Sequence, residues 1–313
     1  LLLGLAYLQA HRFREAEAVA RRLVPRRGLA QDLGLLGDAL LELGRTGEAI
    51  DAYQRMMDLK PGSQAYARAA QARWLRGDQA GAMEAMEMAA RAVTIRDREA
   101  AAWTHAQLAL YKLRGGRFQE AGIACRAALA LRPAYPPALF LQGRIRMAQG
   151  RHRAALAPLA LAAKSHPLSE YLWAWSEALR EAGRTREADS AAPREGAADP
   201  RGLAVFLATW GKNPAVALRL AEREASFRGD PFTLDALAWC LHAAGRSAEG
   251  RPVMERALAE GTRDARLAFH AGVILQACGR TVEARRHLEL AASLRHMLLP
   301  SEWRQVRKAL ALR

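Results

Sequence analysis

The sequence predicts an all-α fold, a right-handed superhelical solenoid of antiparallel helix pairs. Three observations predict it. First, eight glycines recur at Gly44, Gly77, Gly116, Gly150, Gly183, Gly211, Gly245 and Gly279, spaced 33, 39, 34, 33, 28, 34 and 34 residues apart. A period this long marks one supersecondary unit that cannot bury its apolar face alone, so neighbours must stack. Second, small residues sit at two fixed places around each glycine. Third, Ala, Leu, Arg and Glu dominate the chain, and these are strong helix formers.

Each unit reads as helix–turn–helix. Seven residues before the anchors stand Gly37, Ala70, Ala109, Gly143, Ser176, Ala204, Ala238 and Gly272; five after them stand Ala49, Ala82, Ala121, Ala155, Ala188, Val216, Gly250 and Ala284. Small residues on both sides of a turn let two helices approach closely. Glycine between them suits a helix C-terminus, where positive φ is needed. Pro61, Pro133, Pro167 and Pro200 lie seventeen residues after their anchors, ending the second helix and opening the next unit.

The same register organises the ends. His11 lies 33 residues before Gly44, with Gly4 seven before it and Ala16 five after. Leu1 is thus expected inside a first helix, in a truncated opening unit, giving about nine units over residues 1–299. Residues 300–313 are expected to form a C-terminal capping helix. Pro300 and Ser301 precede the periodic Trp303, Val306 and Leu310, with Ser301 as N-cap and Glu302 in the first turn.

Three units depart from the rhythm. Five extra residues fall around Arg91–Ala100, implying a lengthened helix or junction. The Gly183 unit carries Pro193 and Gly196–Asp199 where its second helix should continue, so that helix is expected to be short or broken. The Gly211 unit follows after only 28 residues, which places a bend near 190–215.

The motif that these residues spell resembles the tetratricopeptide repeat. The best match is Leu36, Gly37, Leu40, Gly44, Glu48, Ala49, Tyr53, Met57, Leu59 and Pro61; a second is Phe118, Glu120, Ala121, Ala128, Leu129, Leu131 and Pro133. The likeness extends from Leu1 to about Leu294 and is similar in order to long, multi-repeat bacterial proteins. It implies a non-catalytic scaffold holding a peptide or partner helix in a concave groove lined by the first helices.

Residues 13, 10, 6 and 3 before each anchor share one face of the first helix, because three and four are helical spacings. That face reads Trp74, Trp103, Phe140, Arg144, Met147, Trp173, Glu177, Arg180, Phe232, Asp235, Trp239, His242, Phe269 and Gln276. Trp and Arg dominate binding energy at interfaces, so these side chains, except Trp103 and Phe232, are the candidate partner-binding set. The competing use of the aromatics is packing against the next helix along the array. Phe140, Trp173 and Trp239 beside Arg144, Arg180 and His242 centre the expected contact between the Gly150 and Gly245 units. They suit a partner with both acidic and apolar side chains.

Net charge is +15, and Arg supplies 42 of 47 basic residues. This charge admits RNA or single-stranded nucleic acid as an alternative partner. Against that stand the dispersal of Arg over nearly every unit and the acidic groove positions Asp38, Glu177 and Asp235. A third reading is an adaptor segment of a larger, enzymatic chain. The sequence has no HExxH, GxSxG, GxxxxGK[ST] or GxGxxG, and Cys125, Cys240 and Cys278 form no CxxC. No cofactor, metal or catalytic residue is therefore expected. No apolar run is long enough to span a bilayer. The compartment stays open between the cytoplasm and export.

Overall fold

The structure, a computed structural model, describes residues 1–196 and 199–311. Helix pairs follow one another throughout. The first helices are α1 (Leu2–Gln9), α3 (Ala30–Glu42), α5 (Ser63–Leu75), α7 (Arg98–Arg114), α9 (Pro136–Ala148), α11 (Ser169–Glu181), α13 (Pro200–Thr209), α15 (Pro231–Ala243) and α17 (Ala265–Ala277). Their partners are α2 (Phe13–Arg27), α4 (Thr46–Leu59), α6 (Gln79–Ala92), α8 (Phe118–Leu131), α10 (His152–Ser165), α12 (Thr185–Ala191), α14 (Pro214–Ala225), α16 (Ser247–Leu258) and α18 (Thr281–Ser293). A 3-10 turn, Arg295–Met297, then leads to α19 (Pro300–Ala311).

Every anchor glycine has positive φ, and His11 takes the same conformation at φ 56° in the first unit. The residue after each anchor donates its N–H to a carbonyl five residues back, as Arg45 does to Leu40 at 2.9 Å and Arg12 to Tyr7 at 2.8 Å. This 6→1 bond closes a helix end. In six of the turns that next residue is an arginine bonded to a glutamate three residues on: Arg12–Glu15, Arg45–Glu48, Arg117–Glu120, Arg184–Glu187, Arg246–Glu249 and Arg280–Glu283. Six of the 42 arginines stand at these solvated helix starts.

The two small positions are buried in every unit. In three units the small residue before the turn faces a larger residue nine after the anchor. A methyl group on Gly37, Gly143 or Gly272 would fall within 3.0 Å of Tyr53, Leu159 or Leu288. Where the small residue is Ala70, Ala109 or Ala238, the residue nine after the anchor is Met86, Cys125 or Met254, whereas Ala204 has Leu220 at that place. In the three glycine units the absent side chain makes the room that the larger residue fills, as close packing requires.

The irregular units are where the spacing puts them. α7 has 17 residues against 13 in α5 and α9, and Val93–Asp97 bridges it from α6. α12 has only seven residues and ends two before Pro193. α13 has ten, starting with Pro200 after the Asp199 cap. Ala197 and Ala198 of the expected break, and Leu312 and Arg313 of the expected final helix, lie outside the described residues.

One feature of the superhelix was not expected. Successive turns touch along a seam. The Gly229 N–H donates to the Glu42 carbonyl at 2.9 Å, the Thr262 hydroxyl to the Leu75 carbonyl at 2.7 Å, and the His296 ring to the Arg114 carbonyl at 2.9 Å. The ends of α3, α5 and α7 thus meet the loops after α14, α16 and α18. A Cβ on Gly44 or Gly77 would run into the backbone carbonyl of Gly229 or Gly261. These two glycines serve the turn and the seam together.

Candidate partner-binding groove

The first helices line the inside of the superhelix. Side chains from α7, α9, α11, α13, α15 and α17 enclose an inner cavity of about 370 Å³, with Arg144, Trp173, Arg201 and Arg266 on its wall and Met297 from the 3-10 turn closing it. Towards the N-terminus the inner face stays open. There a groove of about 960 Å³ runs past Leu1, Leu5, Arg68, Trp103 and Tyr135, and Trp103 is 42% exposed.

The expected aromatic surface is not exposed. Trp74, Phe140, Trp173, Trp239 and Phe269 are all buried. Each packs along the array: Trp74 edge-on to Tyr111, Phe140 stacked on Tyr171 at 4.4 Å, Trp173 edge-on to Phe206, and Trp239 between His242 and His270 and beside Phe269. A large ring at a first-helix position reaches the neighbouring first helix before it reaches solvent, because adjacent units are close-packed. Met147 is buried as well. Arg180 lies over Trp210 and pairs with Asp189 at 2.7 Å; His242 meets the Ser247 hydroxyl at 2.9 Å, and burial lowers its pKa. Asp235 bonds His270 at 2.9 Å.

Three polar members of the set, Arg144, Glu177 and Gln276, converge on the C-terminal segment of the chain itself. Arg144 donates to the Met297 carbonyl at 2.6 Å, and Gln276 to that of Ala309 at 3.4 Å. Glu177, held by the Trp173 indole N–H at 3.1 Å, accepts from the Ser301 N–H at 3.2 Å and from the Ser301 hydroxyl. Arg266 bonds Glu302 at 2.5 Å. Arg304 pairs with Glu181 at 2.5 Å, and Gln305 donates to the Thr209 carbonyl at 2.9 Å. α19 also covers α18 and buries Val306. Its reach, however, extends across the inner face to α11 and α13.

Burial sets the electrostatics here. It raises the Glu177 pKa, against the pull of hydrogen bonds from Ser301 and Trp173. At Glu302 burial works in the same direction, but the Arg266 charge and the Leu299 N–H outweigh it and hold the carboxyl below its usual range. Arg144, fully enclosed, is lowered by burial. Arg266 stands thirteen before Gly279, on the face that also carries Trp103 and Phe232, so the repeat register could have named it. Ser301, expected as the N-cap, instead lies inside α19, which starts at Pro300; nothing local reveals its contact with Glu177, 124 residues away, or that of Glu302 with Arg266, 36 residues away.

Cys125 and Cys240 are buried and Cys278 is half-buried, all three as free thiols; burial pushes the Cys125 thiol up to about 12. Among the described residues no group of His, Cys, Asp or Glu is placed to hold a metal ion, and no helix is long and apolar enough to cross a membrane.

A family model described as tetratricopeptide repeat matches residues 1–64, 35–94 and 106–170. The chain belongs to the tetratricopeptide repeat family. No curated protein matches its sequence. Among solved structures, PilW, described as a widely conserved type IV pilus biogenesis factor, aligns with a TM-score of 0.51 at 16% identity, over 61% of this chain and 87% of that one. The Cut9–Hcn1 hetero-tetramer of the APC/C gives 0.47 at 13% identity, over 98% of this chain and 48% of that one. A tetratricopeptide repeat protein from Parabacteroides merdae gives 0.41 at 18%, over 79% and 97%. At its 16% identity, what PilW shares with this chain is the fold.

Proposed function

We propose that this tetratricopeptide repeat chain is a non-catalytic scaffold that binds a peptide or partner helix, bearing acidic and apolar side chains, on the concave face of its first helices. The observation that supports this most directly is that the face already holds a helix. Side chains and helix ends of α7, α9, α11, α13 and α17 all hydrogen-bond to residues 296–309. In this reading Arg144, Glu177, Arg266 and Gln276 make the polar contacts. Phe140 beneath Arg144, and Trp173 beneath Arg266 and bonded to Glu177, position them from the layer behind. Pairing of Arg with nearby Glu at six turns weighs against a continuous track for a phosphate backbone.

The test is selection of helical peptides from a displayed library, followed by hydrogen exchange of the full chain with a selected peptide. Protection is expected on the first helices. Protection confined to the second helices overturns the concave-face reading. So does tight binding of single-stranded RNA with a steep salt slope, the sign of many phosphate contacts.

A further inference from the structure

We infer that segment 295–311 is an internal occupant of the binding face, displaced by a partner helix with an outward acidic face and a hydroxyl–carboxylate pair at its start. The inference rests on the concave face being where partners bind, and it adds what they must look like and what they must remove.

Three observations carry it. The first is the way the segment is held. Beyond α18, most of its polar contacts go to side chains and helix ends remote in sequence, from Arg114 to Gln276. Its covalent link to the array is the short stretch Leu294–Leu299, and its release uncovers the buried Leu298, Leu299, Val306 and Ala309, so a displacing helix must supply matching apolar residues.

The second is that the face reads a helix start. Glu177 takes the N–H and hydroxyl of Ser301, Arg266 takes the carboxylate of Glu302, and Arg144 takes the carbonyl of Met297. Arg144, Glu177 and Glu302 are buried. Buried charges are costly without partners, so the face favours whichever helix supplies this pattern. Specificity thus lies in a Ser-Glu or Thr-Glu pair placed before an amphipathic run.

The third is charge. Four basic residues, Arg295, Arg304, Arg307 and Lys308, against Glu302 alone give the segment a net charge of +3, in a chain of +15. Arg304 is paired with Glu181, whereas Arg307 and Lys308 are exposed and form no ion pair among the described residues. The segment therefore docks against the overall field of the protein. A helix with the same inner contacts and acidic outer residues docks with it and is steered towards it. The internal segment competes through its tether, which gives it a high effective concentration despite an unfavourable charge.

The experiment uses the full chain and a synthetic peptide of the 295–311 sequence with Glu in place of Arg295, Arg307 and Lys308. Peptide affinity is measured for the unsubstituted chain, for Glu302→Arg and for the double substitution Arg307→Glu with Lys308→Glu. Hydrogen exchange is followed at 295–311. Glu302→Arg, which repels its own segment from Arg266, is expected to bind roughly tenfold tighter or more, because occupancy no longer reduces the competent fraction. The double variant, altered only on the exposed face, holds its segment better and is expected to bind more weakly than the unsubstituted chain. Peptide binding is expected to speed exchange at 295–311, and added salt to weaken it. Equal affinity in all three chains with unchanged exchange at 295–311 overturns the displacement, and the concave-face reading stands if protection still maps to first helices. Absence of binding to a folded Glu302→Arg chain whose segment exchanges freely also overturns it. Should Glu302→Arg not fold, the double variant decides alone.

Discussion

The inner face of this array has two ends built from the same repeat and left in opposite states. Around α3, α5 and the start of α7 it is an open groove with Trp103 facing solvent. From α9 to α17 it is covered: rings pack along the array, and residues 295–311 bond to its side chains and helix ends. The repeat backbone does not decide which occurs. The side chains at thirteen, ten, six and three residues before each anchor do. An aromatic at ten or six before finds a neighbouring ring, while Trp103, at thirteen before in the lengthened α7, lies beyond its neighbours.

The sharpest test of this contrast compares two tryptophans. Trp173→Ala removes a buried ring and the group that orients Glu177; we expect a loss of about 3–5 kcal/mol in denaturant unfolding. Trp103→Ala is expected to change stability by no more than about 0.5 kcal/mol. Equal losses would mean that the open groove is closed in solution.

The packing rule should separate the ends as well. Gly143→Ala drives a methyl group into Leu159, for a loss of about 1–3 kcal/mol in thermal unfolding. Adding Leu159→Met, which copies the Ala70–Met86 pairing of the open end, should recover most of it. A failure to recover would show that volume matching across the pair is not what holds it. Among the turns, Gly150→Ala meets open space and costs only the left-handed backbone, roughly 1–2 kcal/mol. Gly77→Ala has the same backbone and also collides with the Gly261 carbonyl, so it should cost more. If the two match, the seam does not close in solution.

The smallest effect is one of pH. The Glu302 carboxyl sits below its usual range in the folded chain, so its contribution is complete at neutral pH and fades as pH falls below that range. Glu177 runs the other way: its pKa is raised by burial, so its ionisation becomes a cost as pH climbs above the usual carboxylate range. In acid, hydrogen exchange at 295–311, corrected for intrinsic rates, should therefore accelerate. The solvated Arg45–Glu48 pair at the open end should change stability little, being screened by water. Equal acceleration at both ends would point to global loosening.

Much of the fold was legible because its signals are local. The position of His11 follows from counting back from Gly44, and α12 is short because Pro193 lies within what would be its last turns. The site was legible only in part. The register placed Arg144, Glu177 and Gln276 on the inner face, since helical spacing fixes a face. It did not reveal that the aromatics are buried, because exposure depends on how closely units stack. Nor did it reveal the seam, which depends on the pitch summed over several units and on no residue alone.

That seam has a consequence for how such a chain can change. Repeat arrays usually tolerate duplication or loss of a unit, because each module touches only its neighbours. Here Glu42 meets Gly229 and Leu75 meets Thr262 at the same sequence offset, so the loops and helix ends mesh like the threads of a screw. Inserting one module between them shifts every later loop by about 34 residues against helix ends that have not moved. Glycine no longer faces glycine, and side chains arrive where only backbone fits. Copy number between the two halves of the seam is thus fixed by geometry, and new modules can be accommodated only outside it.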